Sequence, residues 1–192
     1  MKNKTDEKKK MSPFKKLMIL LIVILLIFGI WNLSWYVLKF RPYQKLANQL
    51  TLINVGGGDD DELQRYFLEK DGYSFTIAMP SYLAFDGGFC RVSSYNNYEN
   101  SVDLEEETER DPDEIVGYDL YYYPAIFGED AYGFFIEKYD GFTAMHVSKD
   151  LEYVYVPELE LSKDEIEEQK NLIKENHEVL EKLMEQKIAV WG

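Results

Sequence analysis

The chain has 192 residues, 46% of them hydrophobic, which suits one modest folded domain beside a targeting segment. Its formal net charge of −14 is unevenly spread: seven lysines face Asp6 and Glu7 before Leu17, whereas from Lys39 onward fourteen basic side chains face thirty-three acidic ones. A domain that acidic repels phosphate backbones, which argues against nucleic acid as a partner.

From Leu17 to Leu38 no charged residue occurs, and only Asn32 and Ser34 interrupt a run rich in Leu, Ile, Val, Phe and Trp. A helix of that length spans roughly 33 Å, enough for the hydrocarbon core of a bilayer. A cleaved secretory signal has an apolar core of about 7 to 15 residues followed by small residues. Here Trp31, Trp35, Tyr36 and Phe40 stand where the small residues belong, and such rings suit the headgroup layer. The run therefore reads as an uncleaved signal anchor over 17–38, with the lipid bilayer as its partner. Lys8, Lys9, Lys10, Lys15 and Lys16 outweigh Lys39, Arg41 and Lys45, so residues 1–16 read as a cytoplasmic tail and the acidic domain as exported. Cys90 is the only cysteine, which excludes an intramolecular disulfide and fits a bacterial cell envelope. It reads as a small buried hydrophobe.

Residues 39–71 read as a juxtamembrane helical segment and a Gly/Asp-rich turn. Pro42 is expected to end the straight helix, with a short helix from Tyr43 to Asn54 beyond it. GGGDDDEL, residues 56 to 63, lacks the Lys and Ser/Thr of a phosphate cradle. It reads as a turn capping a helix from Glu62 to Lys70.

Residues 72–192 read as an extracytoplasmic α+β domain with an antiparallel meander. Tyr73, Phe75, Ile77 and Met79 alternate with Ser74, Thr76 and Ala78 as in a half-buried strand. Further strands are expected over Phe89 to Tyr95, Ile115 to Tyr123, Tyr132 to Lys138, Phe142 to Ser148 and Leu151 to Val156, with turns at Asp140-Gly141 and Lys149-Asp150. Ser162 and Glu165 form an S-x-x-E capping box opening one long amphipathic helix to about Ile188. Gln169, Asn176 and Lys187 fall within its apolar face, so two uses stay open: packing on the sheet, or a seam between copies in a homo-oligomer.

Catalytic spacing is sparse. The two histidines, His146 and His177, belong to no nucleophile pattern, and HEVLE, residues 177 to 181, lacks the second histidine of a zinc helix. Residues 99–114 carry nine acids and one base, yet the order breaks the calcium-loop pattern and reads as a solvated loop. No cofactor is expected. The remaining signal is aromatic: Tyr118 and Tyr122 share one strand face with Leu120, and Tyr121 and Tyr123 share the other with Asp119. Either face can be core, and the other an exposed surface for a protein or glycan unless the terminal helix covers it. These readings favour a non-catalytic, membrane-tethered module binding an envelope protein or wall component. The alternative is a membrane-bound hydrolase whose carboxylates and His146 meet only in the fold.

Overall fold

The computed structural model describes residues 12–53, 65–83, 87–95, 111–112, 114–125 and 128–192. Ser12 caps α1 (Pro13–Trp35) by accepting the Lys15 N–H, and Pro13 occupies its first turn, where no amide proton is needed. Every residue from Pro13 to Trp31 is exposed. An apolar helix lying outside the fold is what a membrane span requires, and the 35-residue helix Pro13–Ala47 is long and apolar enough to cross one.

Pro42 does not end the helix. A π-helical turn (Tyr36–Phe40) follows α1, closed by the Arg41 N–H bonding back to the Tyr36 carbonyl, and α2 (Arg41–Ala47) continues from it. The wider turn lets the proline fall in the first turn of α2, where its missing N–H breaks no ladder bond. The helix expected to reach Asn54 stops instead at Ala47, and Thr51–Ile53 is strand β1.

The helix expected up to Lys70 is also a strand, β2 (Arg65–Lys70), paired with β3 (Tyr73–Ala78). Asp71 and Gly72 both take positive φ, 53° and 79°, forming a two-residue hairpin turn whose twist matches the strands. That Asp-Gly pair outweighs helix propensity, because the hairpin delivers Tyr66 and Leu68 to the core. The start of the expected helix, like residues 56–61 and 99–110, lies outside the described residues.

Then follow β4 (Phe89–Tyr95), β5 (Ile115–Tyr123), β6 (Ala131–Lys138) and β7 (Gly141–Val147), giving one sheet of order β1-β2-β3-β4-β5-β6-β7 with every pair antiparallel. Leu151 to Val156 is not a strand but touches β7 through the single bridge Val147–Tyr153. Leu151 sits at φ 63° and the Ser148 hydroxyl accepts the N–H groups of Asp150 and Glu152, which makes the turn; the Val154 N–H then donates to the His146 carbonyl at 2.8 Å, and the chain leaves β7 for a 3-10 turn at Pro157–Leu159.

The capping box forms as read: the Ser162 hydroxyl accepts the Glu165 N–H and the Glu165 carboxylate accepts the Ser162 N–H. The terminal helix is two helices, not one. α3 (Lys163–Glu175) ends at Asn176, whose side-chain amide donates to the Leu172 carbonyl at 2.9 Å, and α4 (His177–Trp191) restarts from there. The break lets both halves lie on the sheet: Ile173, Leu180, Leu183 and Trp191 join Phe75, Ile77, Val92, Leu120, Phe134 and Met145 in one core, with Tyr43 of α2. Each of the three polar residues of the apolar face has a place in this packing. Gln169 donates to the Ala144 carbonyl of β7, Asn176 forms the break, and the Lys187 ammonium lies 4.2 Å from the Tyr122 ring centre.

Candidate functional site

With α2, α3 and α4 packed on one face of the sheet, the strand alternation puts a second set of side chains on the opposite face. This set includes Phe89 and Arg91 of β4, Asp119, Tyr121 and Tyr123 of β5, Phe135 and Glu137 of β6, and Phe142 of β7. Their rings form a ladder crossing four strands: Phe89 to Tyr121 at 5.3 Å, Tyr121 to Phe135 at 4.6 Å, and Phe135 to Phe142 at 5.6 Å between centres. Tyr123 stacks beside Tyr121 at 6.5 Å. Such contacts hold each ring in place, so an exposed ring here loses little freedom on meeting a partner. Phe142 is 67% exposed and Tyr123 38%. Burial pushes the Tyr121 and Tyr123 hydroxyls up, so both stay protonated donors near neutral pH.

Beside the ladder sits a charged cluster. Asp119 is fully buried; its Oδ2 meets the Arg91 guanidinium at 3.4 Å. Its other oxygen, Oδ1, is enclosed with no fixed donor among the described residues. Glu137 is the second acid of the cluster. Burial first, then the hydrogen bond and the negative charge of Asp119, push its carboxyl up to about 7, with Arg91 pulling the other way. A carboxyl that keeps its proton beside a buried carboxylate relieves the like-charge repulsion between the two.

The four tyrosines read together from the sequence divide between the two faces. Tyr118 and Tyr122 are buried beside the helices; Tyr118 stacks on Phe134 at 6.1 Å and the Tyr122 hydroxyl donates to Asp130 at 3.1 Å. Neither offers a surface, and only Tyr121 and Tyr123 remain on the open face. Phe89, Arg91, Phe135, Glu137 and Phe142 were not singled out from the sequence. Their alternation with Cys90, Val92, Phe134 and Ile136 is visible there, but their neighbourhood depends on cross-strand register.

Of the residues read from the sequence as an anchor, Leu17, Trp31, Tyr36 and Leu38 are exposed along the helix. Trp35 differs. It is 7% exposed, packed on Phe40 at 5.2 Å and edge-on against Tyr82 at 5.3 Å, so its ring is covered by protein rather than free in the interface.

His146 lines a cleft of 390 Å³ with Glu129, Asp130, Tyr132, Ser148 and Lys149. Asp130 is committed to the Tyr122 hydroxyl and to the Ala125 N–H at 2.9 Å, and no hydrogen bond among the described residues joins His146 to either acid. His177 lies 3.3 Å from Glu181, one turn on along an exposed helix face. No group of three His, Cys, Asp or Glu side chains among the described residues is placed to share a metal ion. Comparison with protein families, curated proteins and solved structures finds no match.

Proposed function

We propose that the chain is a single-pass membrane protein with its N-terminus in the cytoplasm, whose sheet domain stands outside the cell membrane and binds another envelope protein through the open aromatic face. The observation that carries the binding role is the ladder ending in exposed Phe142, on the face away from the helices. A centre of fixed aromatic rings with Arg91 and Glu137 beside it has the make-up of a protein interface, where aromatic anchors dominate and charges lie at the rim. The exposed apolar helix Pro13–Ala47 and the lysine-rich flank before Leu17 support the anchor and its direction.

Direction is tested by protease shaving of intact cells that carry a C-terminal tag. Loss of the tag is expected, and retention where a surface control is digested would overturn the orientation. Binding is tested by a photo-crosslinking residue at position 142 or 123, with one at the exposed Ile188 of α4 as the control. The expected result is one discrete adduct from 142 and 123 and none from 188. A product of twice the chain mass would make the partner a second copy, and a smear removed by wall-degrading enzyme would make it wall material. Equal labelling from 188 would sink the assignment of the face.

A second reading, a membrane-bound hydrolase, draws on the cleft that gathers His146 with Glu129 and Asp130. It predicts turnover of an ester, amide or glycoside reporter that is lost in His146→Ala. Absence of turnover by the native protein across such a panel removes it.

A further inference from the structure

The helix that leaves the apolar run never becomes a free linker. It passes through the π turn into α2, whose Tyr43 and Ala47 are buried in the domain core. Two contacts fix its direction against the connection between β3 and β4. The Tyr82 hydroxyl donates to Asn32 Oδ1 at 2.6 Å, with the Tyr82 ring edge-on to Trp35, and the Tyr43 hydroxyl donates to the Gly88 carbonyl at 3.2 Å. The two ends of that connection lie close together: Gly88 has φ 73°, and a Cβ there would lie 3.0 Å from the Pro80 nitrogen.

Depth follows from helix rise. Asn32 lies six residues before Leu38, the last residue of the uncharged run, which is about 9 Å along the axis. The Tyr82 hydroxyl bonded to Asn32 therefore sits inside the end of the apolar segment, next to the layer where amphipathic rings meet headgroups. Tyr82 is nonetheless 68% exposed, and on the helix Tyr36 and Trp31 are 44% and 51% exposed. Asn32, a polar group in an apolar helix, is satisfied locally: it donates to the Phe28 carbonyl at 2.8 Å and accepts from Tyr82, so the pair tolerates a wet-to-apolar boundary. Arg41 and Lys45, both exposed on α2, lie a few turns further along the helix, where lipid phosphates attract basic side chains.

We propose that the turn Pro80 to Leu83 is a second membrane contact, seated among the headgroups of the leaflet from which the domain emerges and holding the sheet at a fixed tilt. This rests on α1 spanning the bilayer. The test uses the full chain in liposomes of phosphatidylcholine and phosphatidylglycerol, with single cysteines introduced as Ser81→Cys, Leu26→Cys or Ile188→Cys and labelled with an environment-sensitive fluorophore. Ser81 is exposed, so Tyr82 keeps its contacts, and Cys90 is fully buried and does not compete for label. Lipids carrying a nitroxide quencher should quench the labels at 26 and 81 and leave that at 188 bright. Quenching at 26 without quenching at 81 overturns the second contact and leaves the anchor standing. No quenching at 26 overturns the anchor and the proposal with it.

Discussion

The two faces of the sheet are cut from the same strands, and both are rich in aromatic rings, yet one is the core and the other is not. On the helical face Phe75, Leu120 and Phe134 are fully buried under Leu180, Leu183 and Trp191. On the open face the rings touch one another across strands while Phe142 and Tyr123 keep much of their surface. The difference teaches that ring content alone does not mark a core. What decides is where the helices go, and the capping box at Ser162 and the break at Asn176 aim them at one face.

Truncation should separate the faces most sharply. Leu120→Ala removes a fully buried side chain and leaves a cavity, with an expected loss of about 3 kcal/mol, whereas Phe142→Ala should stay within about 0.5 kcal/mol. Urea titration of the detergent-solubilised protein measures both, and equal losses would erase the distinction between core and surface. Next in size is Asp119→Ala, which removes a fully buried carboxylate together with its contact to Arg91 and should cost about 2 kcal/mol in the same titration. A loss below about 0.5 kcal/mol would mean that the pair adds nothing.

Smaller, and opposite in sign, is the effect of Glu137. The folded chain holds its proton up to about pH 7, whereas the unfolded chain gives it up near the ordinary value of 4.5. Folded protein therefore binds more protons between those values, and stability falls as pH rises through that window. Glu137→Gln should remove the decline and, because the group is partly solvated, raise stability at pH 8 by roughly 1 kcal/mol rather than by the full shift. Unfolding midpoints of both proteins at pH 4 and pH 8 decide it, and identical pH slopes would count against the raised Glu137 carboxyl. Smallest is Tyr123→Ser, expected within about 0.5 kcal/mol of native stability. It should weaken the crosslink from position 142 nonetheless, which a purely structural tyrosine would not do.

Much of this could be read along the chain. YSFTIAM and IVGYDLYYY alternate with period two and become β3 and β5, because a strand's faces follow from its own sequence. The turn at Asp140-Gly141 and the cap at Ser162 are equally local. Local signals also compete: Asp71-Gly72 makes a hairpin where the pattern before it reads as a helix, and the π turn before Arg41 absorbs Pro42, which on its own reads as the end of a straight helix. The candidate site was harder. Tyr121 and Tyr123 could be placed on one face, yet Phe89, Phe135 and Phe142 join them only through the register of three further strand pairings.

By itself, then, the sequence determined the apolar helix, the strands from β3 to β7, the cap of α3 and the sidedness of each strand, because each depends on residues within a turn or two of one another. Tertiary structure alone decided that Tyr118 and Tyr122 go inside, that Trp35 is covered by Tyr82, and that Arg91, Asp119 and Glu137 meet. Those outcomes depend on which face the helices cover and on pairing between distant segments, and no local periodicity encodes either.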